Sequence, residues 1–395
     1  MNRSPIRERL GALALILPLL AFLAVFFLWP LWTMVAAAIV DDTVSRVLPR
    51  TAAAITSWDG QGLPSPEVAK ALVEDLRRAD DQQALGETVR RLNSSISGFR
   101  TLMSRTTSAV RDGAATDTID LAGLDRRWTE PRFWVALKDA VPPYTDRNLL
   151  AAVDMKRDGA GSIVGEDPGA SANRLIMTRT FLVAGIVTLT CAAIGLPYAM
   201  LAAAVTGWRR NMLLLAVLIP LWTSLLVRTT AWFVLLQNEG LINGALQAAG
   251  LIDRPLPLIF NRVGVVIAMT HVLLPFMVLP IYSVLLSVPN NLMQAAASMG
   301  AGPLRAFWRV LLPLSLPGVL SGSLLVFMVA IGYYITPALV GGANDQMISS
   351  VIAFYAMGTA NWGLAGALGL ILLLVTIVLY LIYGRLSKSP QLLGA

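Results

Sequence analysis

Residues 11–40 contain no charged side chain. An α-helix of about 20 apolar residues already crosses a bilayer, so this run commits the start of the chain to a membrane. Arg3, Arg7 and Arg9 precede it. Positive charge flanking a first span holds that flank on the cytoplasmic side. Ala36-Ala37-Ala38 could mimic a signal-peptidase site, but the run is much longer than the roughly 7–15 residues of a signal-peptide core. It therefore reads as a retained span.

Further apolar runs follow at 175–205, with a kink expected at Pro197, and at 211–236, 263–286, 310–330 and 362–383. The chain is 56% hydrophobic and 14% charged, against about 25% charged in soluble domains. The fold class expected is an all-α polytopic membrane protein. The single cysteine, Cys191, and the single histidine, His271, both fall in apolar runs. No disulfide framework, no cysteine- or histidine-based metal site and no Ser-His-Asp triad is expected from such a composition.

The net charge of +7 is unevenly distributed. Residues 41–172 hold 17 basic and 20 acidic side chains, and the remaining 263 hold 14 basic and 4 acidic. The basic excess thus belongs to the membrane portion and reports topology, not nucleic-acid binding. Placing both termini inside puts the N-terminal arginines, Arg209 and Arg210, Arg305 and Arg309, and Arg385 and Lys388 on the cytoplasmic side. Only Arg254 and Arg262 fall in the short outer loops. Six spans satisfy this count, and 41–172 lies outside.

That outer segment is charged and broken by Pro and Gly. Leu85, Val89, Leu92, Ile96, Phe99 and Met103 recur at heptad spacing, which predicts one amphipathic helix over 82–111. Its expected partner is a helix from Pro66 to Arg78, and Gly113 is expected to end the hairpin. Trp128, Phe133, Trp134 and Leu137 suggest a second cluster. Thr145 is expected to cap a further helix running to Arg157.

Between the fourth and fifth apolar runs lies QAAASMGAGPLRAFWRVLLPLSLPGVLSG, residues 294–322. Small residues lead to Gly300, and an aromatic-basic segment (Arg305, Phe307, Trp308, Arg309) precedes Pro313. The spacing resembles the EAA loop of importer-type ABC permeases: E-A-A, three residues, Gly, nine residues, then I-x-L-P. The match falls on Ala295, Ala296, Gly300, Val310, Leu312 and Pro313. Gln294 departs from it, standing where the family usually has Glu, which keeps a hydrogen-bond acceptor and removes a charge. The stretches 220–232, 240–252, 274–285 and 321–342 extend the resemblance to the spermidine/putrescine-type permease branch, over about 175–385 and the first span. The 41–172 segment exceeds the usual outer loop of that branch.

The resemblance implies a type I ABC importer permease with six transmembrane helices and a large, mostly helical periplasmic insertion. The divisions it suggests are 1–40 (cytoplasmic N-terminus and first span), 41–172 (external insertion), 173–384 (permease core with a cytoplasmic coupling loop at 289–309) and 385–395 (cytoplasmic tail). It implies a bacterial inner-membrane location. The implied partners are a second related permease in a heterodimer, an ATPase homodimer, a periplasmic solute-binding protein and membrane lipid, with no nucleic acid. The chain holds no cofactor and no metal in this reading, because ATP and Mg would sit on the partner ATPase. No G-x-x-x-x-G-K-[ST] loop occurs in the sequence to cradle phosphate.

The implied ATPase-coupling residues are Gln294, Ala295, Ala296, Ser298, Gly300, Ala301, Pro303 and Arg305. No catalytic residue is expected. Path or gate candidates are Arg228, Tyr333, Tyr334, Thr336 and Asp345. An intramembrane Arg costs about 2.5–3.5 kcal/mol on insertion scales, so Arg228 must face a cavity, a partner or the interface; it either lines the path or packs against the outer loops. The two tyrosines are either an interfacial belt or an aromatic gate suited to a cationic amine. His271 reads as an interhelical hydrogen-bonding residue in preference to a proton carrier.

The solute implied is small, polar and amine-bearing, polyamines first. Members of the branch often read Gly-Glu-Phe where this chain has Gly332-Tyr333-Tyr334, and losing that carboxylate weakens the case for a polycation. The alternative is another small organic solute such as an amino-acid derivative or an opine. A secondary transporter would need inverted repeats or intramembrane carboxylates, and a membrane-anchored sensor would need a signalling module that the short tail after Gly384 does not supply.

Overall fold

The computed structural model describes residues 15–112, 120–157, 162–167, 169, 172–289, 291–359 and 361–388. Arg3, Arg7, Arg9, Gly113 and the last residues of the tail lie outside the described residues. Apart from one short antiparallel pairing of Met155–Arg157 with Ile163–Gly165 and an isolated antiparallel bridge between Val40 and Tyr144, the secondary structure described is helical. Among the described residues, five helices are long and apolar enough to cross a membrane: Leu15–Ile39, Asn173–Ala204, Arg262–Ser287, Pro303–Gly332 and Trp362–Arg385. A bent pair, Trp208–Trp222 with Leu225–Leu235, makes a sixth if counted as one span. The chain divides into two compact units, Met1–Leu150 and Ala151–Ala395.

In the first unit, the end of the Leu15–Ile39 helix is tied down by its own neighbours. Ile39 O accepts from Thr145 N and Pro143 O accepts from Asp41 N, both at 2.8 Å. Beyond it, short helices enclose one core built on Leu48, Ile55, Leu72, Leu76, Leu92, Phe99, Leu102, Met103, Phe133 and Leu137, all inaccessible to solvent or nearly so. Trp128 and Trp134 lie tilted against each other within it, their rings 4.7 Å apart, and Phe99 meets Phe133 at 5.4 Å. The aromatic residues 128–134 therefore belong to the same core as the heptad stripe, not to a second cluster. Both indoles are satisfied, Trp128 donating to Thr106 Oγ1 at 3.0 Å and Trp134 to the Trp128 carbonyl at 2.9 Å. The buried Asp75 carboxylate accepts from Thr51 N and Thr51 Oγ1 at 2.8 and 2.7 Å, which joins Pro66–Arg78 to the start of Pro49–Thr56.

The single helix expected over 82–111 is two helices, Gln82–Ser95 and Phe99–Asp112. Gly98 at φ +96° turns the chain, in a region where only glycine is unstrained. Asn93 Oδ1 accepts from Gly98 N and Arg100 N at 3.2 and 3.0 Å, replacing the lost helical bonds. Leu85, Leu92, Phe99 and Met103 remain buried across the break, which explains why the spacing read as continuous. Pro66–Arg78 packs on Pro49–Thr56 and on the second of these helices, whereas Gln82–Ser95 packs on Thr43–Val47.

Thr145 Oγ1 accepts from Arg147 N at 3.1 Å as a cap should. The helix nevertheless stops at Ala152, and Met155–Arg157 is strand. Asp154, at φ +55°, reverses the chain. Its carboxylate accepts from Asn173 N and Arg174 N, each at 2.9 Å, and so caps the Asn173–Ala204 helix.

The second unit is built on three tightly packed helices, Asn173–Ala204, Arg262–Ser287 and Leu312–Gly332. Small residues let membrane helices approach closely. Met277 lies between Gly195 and Gly322, where an added Cβ would come within 2.8 Å of its side chain on either side. Gly318 faces the backbone of Ile281 equally closely, at 2.8 Å to its Cα. The helix Asn173–Ala204 continues unbroken through Pro197.

Trp208, Arg209 and Arg210 form the first turn of Trp208–Trp222, entered through Gly207 at φ +65°. The span expected over 211–236 is broken, its two helices meeting at 102°. Thr223 and Ser224 are extended there, and Pro220 lies just upstream.

Candidate functional site

The EAA-like stretch folds as a helical elbow. Asn291–Ser298 is a short helix, Pro303–Ala306 begins the next, and a π-type turn at Phe307–Leu311 leads directly into Leu312–Gly332. The aromatic-basic segment expected in a loop at 289–309 is thus the helical start of the fifth apolar helix. Gly300 ends the first helix at φ +82°. Gly300 N donates to Ala297 O at 2.9 Å and Ala301 N to Ala296 O at 3.0 Å, the paired bonds of a Schellman cap. Gly302 is extended and Pro303 stands at the first helical position, where its missing N–H costs nothing.

The elbow has an inner and an outer side. Ala296 and Ala306 are buried, and Asn291–Ser298 packs against Pro303–Ala306 and the following turn. Gln294, Ala295, Ser298, Gly300, Pro303 and Arg305 are exposed and Ala301 is half-buried. Ser298 Oγ donates to its own helix at Gln294 O, 3.0 Å away. Around them stand Met299 at 82%, Leu304 at 72% and Trp308 at 60% exposure, with exposed Arg309 beside them. These side chains form an exposed apolar surface with arginines beside it.

The second group lies on the broken span. Arg228, Thr229 and Trp232 project from Leu225–Leu235, which packs against Ile335–Val340 and Arg262–Ser287. Thr229 Oγ1 and Thr336 Oγ1 share a hydrogen bond at 3.1 Å, both fully buried. Trp232 Nε1 donates to His271 Nδ1 at 3.1 Å, with the rings 5.4 Å apart edge to face. His271 is thus the interhelical residue expected. The Arg228 Nε is buried without a hydrogen-bond partner.

The remaining path candidates separate. Tyr333 is half-buried and packs on the membrane core, its carbonyl accepting from Ser349 Oγ at 2.7 Å. Tyr334 keeps 41% of its surface exposed. Asp345 is paired with Arg262 at 3.3 Å, so its carboxylate is engaged at the mouth of that helix. Sequence reasoning passed over Thr229 and Trp232. The signal available covered Trp232 alone, four residues after Arg228 and so on the same helix face; nothing in the spacing marked Thr229.

Residues 161–390 match the family described as the binding-protein-dependent transport system inner membrane component. The spermidine/putrescine transport system permease protein PotB of Escherichia coli strain K12 is 33% identical over 213 residues, 54% of this chain and 78% of the relative. PotB of Haemophilus influenzae is 32% identical over 213 residues, 54% of this chain and 74% of the relative. The molybdenum transport system permease protein ModB of Mycobacterium bovis is 29% identical over 224 residues, 56% and 81% of the two chains. Among solved structures, a chain of a bacterial alginate ABC transporter, in complex with alginate pentasaccharide-bound periplasmic protein, aligns at 17% identity with a TM-score of 0.47. That alignment covers 57% of this chain and 83% of the other.

Proposed function

The chain belongs to the family of inner-membrane components of binding-protein-dependent transport systems, and on that premise we propose that it carries a small, polar, amine-bearing solute inward, powered by a separate ATPase. It is a multi-pass permease subunit of a transport system. The polyamines are the first solutes to test, because the PotB relatives are spermidine/putrescine permeases at about a third identity.

The observation that carries the coupling role is the elbow. Its Schellman-capped turn at Gly300 is stiff, presents small and apolar residues outward, and runs without interruption into the helix packed at the centre of the membrane unit. A push on Asn291–Ser298 would be transmitted to Leu312–Gly332 and, through the Met277 contacts, to Arg262–Ser287. Gln294, Ala295, Ala296, Ser298, Gly300, Ala301, Pro303 and Arg305 would receive an ATPase dimer on the cytoplasmic face, with ATP and Mg held by that partner. A second, related permease would complete the pathway, and a periplasmic binding protein would deliver the solute. Both termini would lie in the cytoplasm.

Purification of the tagged chain in mild detergent tests this reading. It should bring down an ATPase and a second permease. After reconstitution, ATP hydrolysis should rise with solute-loaded binding protein. Recovery of the chain alone, or hydrolysis indifferent to the loaded binding protein, refutes it.

A further inference from the structure

Two arginines of the first unit converge beside the end of the Leu15–Ile39 helix. Arg91 binds the Asp41 carboxylate, and both side chains of that pair are largely buried. Arg91 Nη1 also donates to Ser95 Oγ at 2.9 Å, and Arg147 Nη1 donates to the same oxygen at 2.8 Å. Arg147 Nη2 donates to Ser94 Oγ at 3.1 Å. Among the described residues the Arg147 guanidinium thus bonds to hydroxyls alone. Burial and then the neighbouring Arg91 guanidinium push its pKa down to about 10, and the weaker attraction of Asp41 does not offset them. Asp139 acts on Arg91. A half-buried cation whose nearest carboxylate is already taken calls for another anion. Ser94 and Ser95, where the two guanidiniums meet, are exposed and leave room for one.

The height of the site indicates which anion. Leu15–Ile39 is 25 residues long, about 37 Å at roughly 1.5 Å per residue. A bilayer's hydrocarbon core is about 30 Å thick, and about 40–45 Å with its headgroup layers, so a helix of this length that crosses it ends among headgroups. Arg147 is fixed beside that end. Asn148 Nδ2 donates to Ala38 O at 3.3 Å, and Val40 bridges to Tyr144, whose ring stands 74% exposed as an interfacial tyrosine does. Guanidinium N–H groups match phosphate oxygens in pairs. We infer that Arg91 and Arg147, with the Ser94 and Ser95 hydroxyls, bind the phosphate diester of an anionic phospholipid at the headgroup level. Its single charge balances the one guanidinium that Asp41 leaves uncompensated. Free phosphate shares this chemistry, and the test separates the two sources. The inference rests on the Leu15–Ile39 helix crossing the bilayer and is independent of the solute.

The test is resistance of residues 41–157 to proteolysis in the full-length chain, held in detergent micelles doped with phosphatidylglycerol, with phosphatidylcholine, or with inorganic phosphate at matched ionic strength. Phosphatidylglycerol should protect saturably, and the other two should not. Arg147→Gln should raise the half-saturating fraction of phosphatidylglycerol about five- to tenfold, the scale of one basic side chain at an anionic membrane surface. Arg147→Lys should recover part of the loss, and Arg90→Gln, at an exposed position outside the cluster, should change nothing. Ser95→Asp puts a carboxylate within reach of both guanidiniums. It should raise protease resistance without lipid and abolish the response to phosphatidylglycerol, whereas Ser95→Asn should keep that response; should Arg147→Gln fail to fold, this pair decides. Equal protection by phosphatidylcholine overturns the inference. Equal protection by inorganic phosphate alone assigns the site to a soluble anion and overturns the lipid. A phosphatidylglycerol response that survives both Arg147→Gln and Ser95→Asp places the lipid elsewhere and also overturns it.

Discussion

Substitutions at Gly300 separate the shape of the elbow from its contact surface. The residue sits at φ +82°, and a side chain there would meet nothing within 4 Å. Any penalty for Gly300→Ala is therefore conformational. For an L-residue the left-handed region costs roughly 1–2 kcal/mol, which lowers the population of the capped turn by a factor of about 5–30. Gly300→Asn should cost much less, since Asn is the usual alternative at this position. Gly300→Asp tolerates the same dihedral but adds a charge to the apolar surface formed by Met299, Leu304 and Trp308. Solute-stimulated ATPase activity, measured in proteoliposomes at matched permease abundance, should fall in the order wild type, Asn, Ala, Asp, with Asp close to inactive. If Asn is as damaging as Ala, the left-handed cap is not what coupling requires. If Asp transports normally, no partner seats on this surface.

Gly318→Ala should destabilise the membrane unit by about 1–3 kcal/mol, because the methyl would meet Ile281 Cα at 2.8 Å and backbone cannot yield; Gly332→Ala, with nothing nearby, is the control, and detergent thermal aggregation is the measurement. Trp128→Ala should cost the first unit about 3–5 kcal/mol, seen as faster proteolysis within 41–157 in the intact chain, with membrane insertion unchanged. Arg127 beside Asp125, donating at 2.7 and 3.0 Å, holds that carboxyl well below the usual carboxylate range. The pair's contribution is thus present above the ordinary Asp pKa and is lost as pH falls through the lowered folded value. Asp125→Asn should flatten the acid limb of the first unit's stability, and an unchanged acid limb would show that other groups set it. Thr51→Val removes the Oγ1 donor to the buried Asp75 carboxylate and should cost about 1–3 kcal/mol by the same proteolysis assay.

The number and order of apolar helices were legible because lipid imposes a length and a polarity that no tertiary contact can replace. The elbow was legible at Gly300 and Pro303 because glycine tolerates the left-handed dihedrals that end a helix and proline fixes the φ of a helix's first position. Its outer face was only half legible. The small-residue pattern marked Ala295 and Ala296 alike, but packing buries Ala296 and leaves Ala295 exposed. Heptad spacing over 85–103 survived a complete break, since two helices joined by a tight turn can present one stripe to one core.

What the sequence could not supply were the relations between distant residues. Composition marked Arg228 as costly and His271 as solitary. Only the bend between Trp222 and Leu225 turns Arg228, Thr229 and Trp232 toward Thr336 and His271, residues that lie 39 and more positions away. Likewise Asp345 read only as a path candidate until the fold set Arg262 against it. Local rules act on dihedrals and on transfer from water, and the sequence carries both. Pairings of charge and hydroxyl across helices depend on rotations and close approaches set by contacts such as Met277 between its two glycines, and those exist only once the chain is packed.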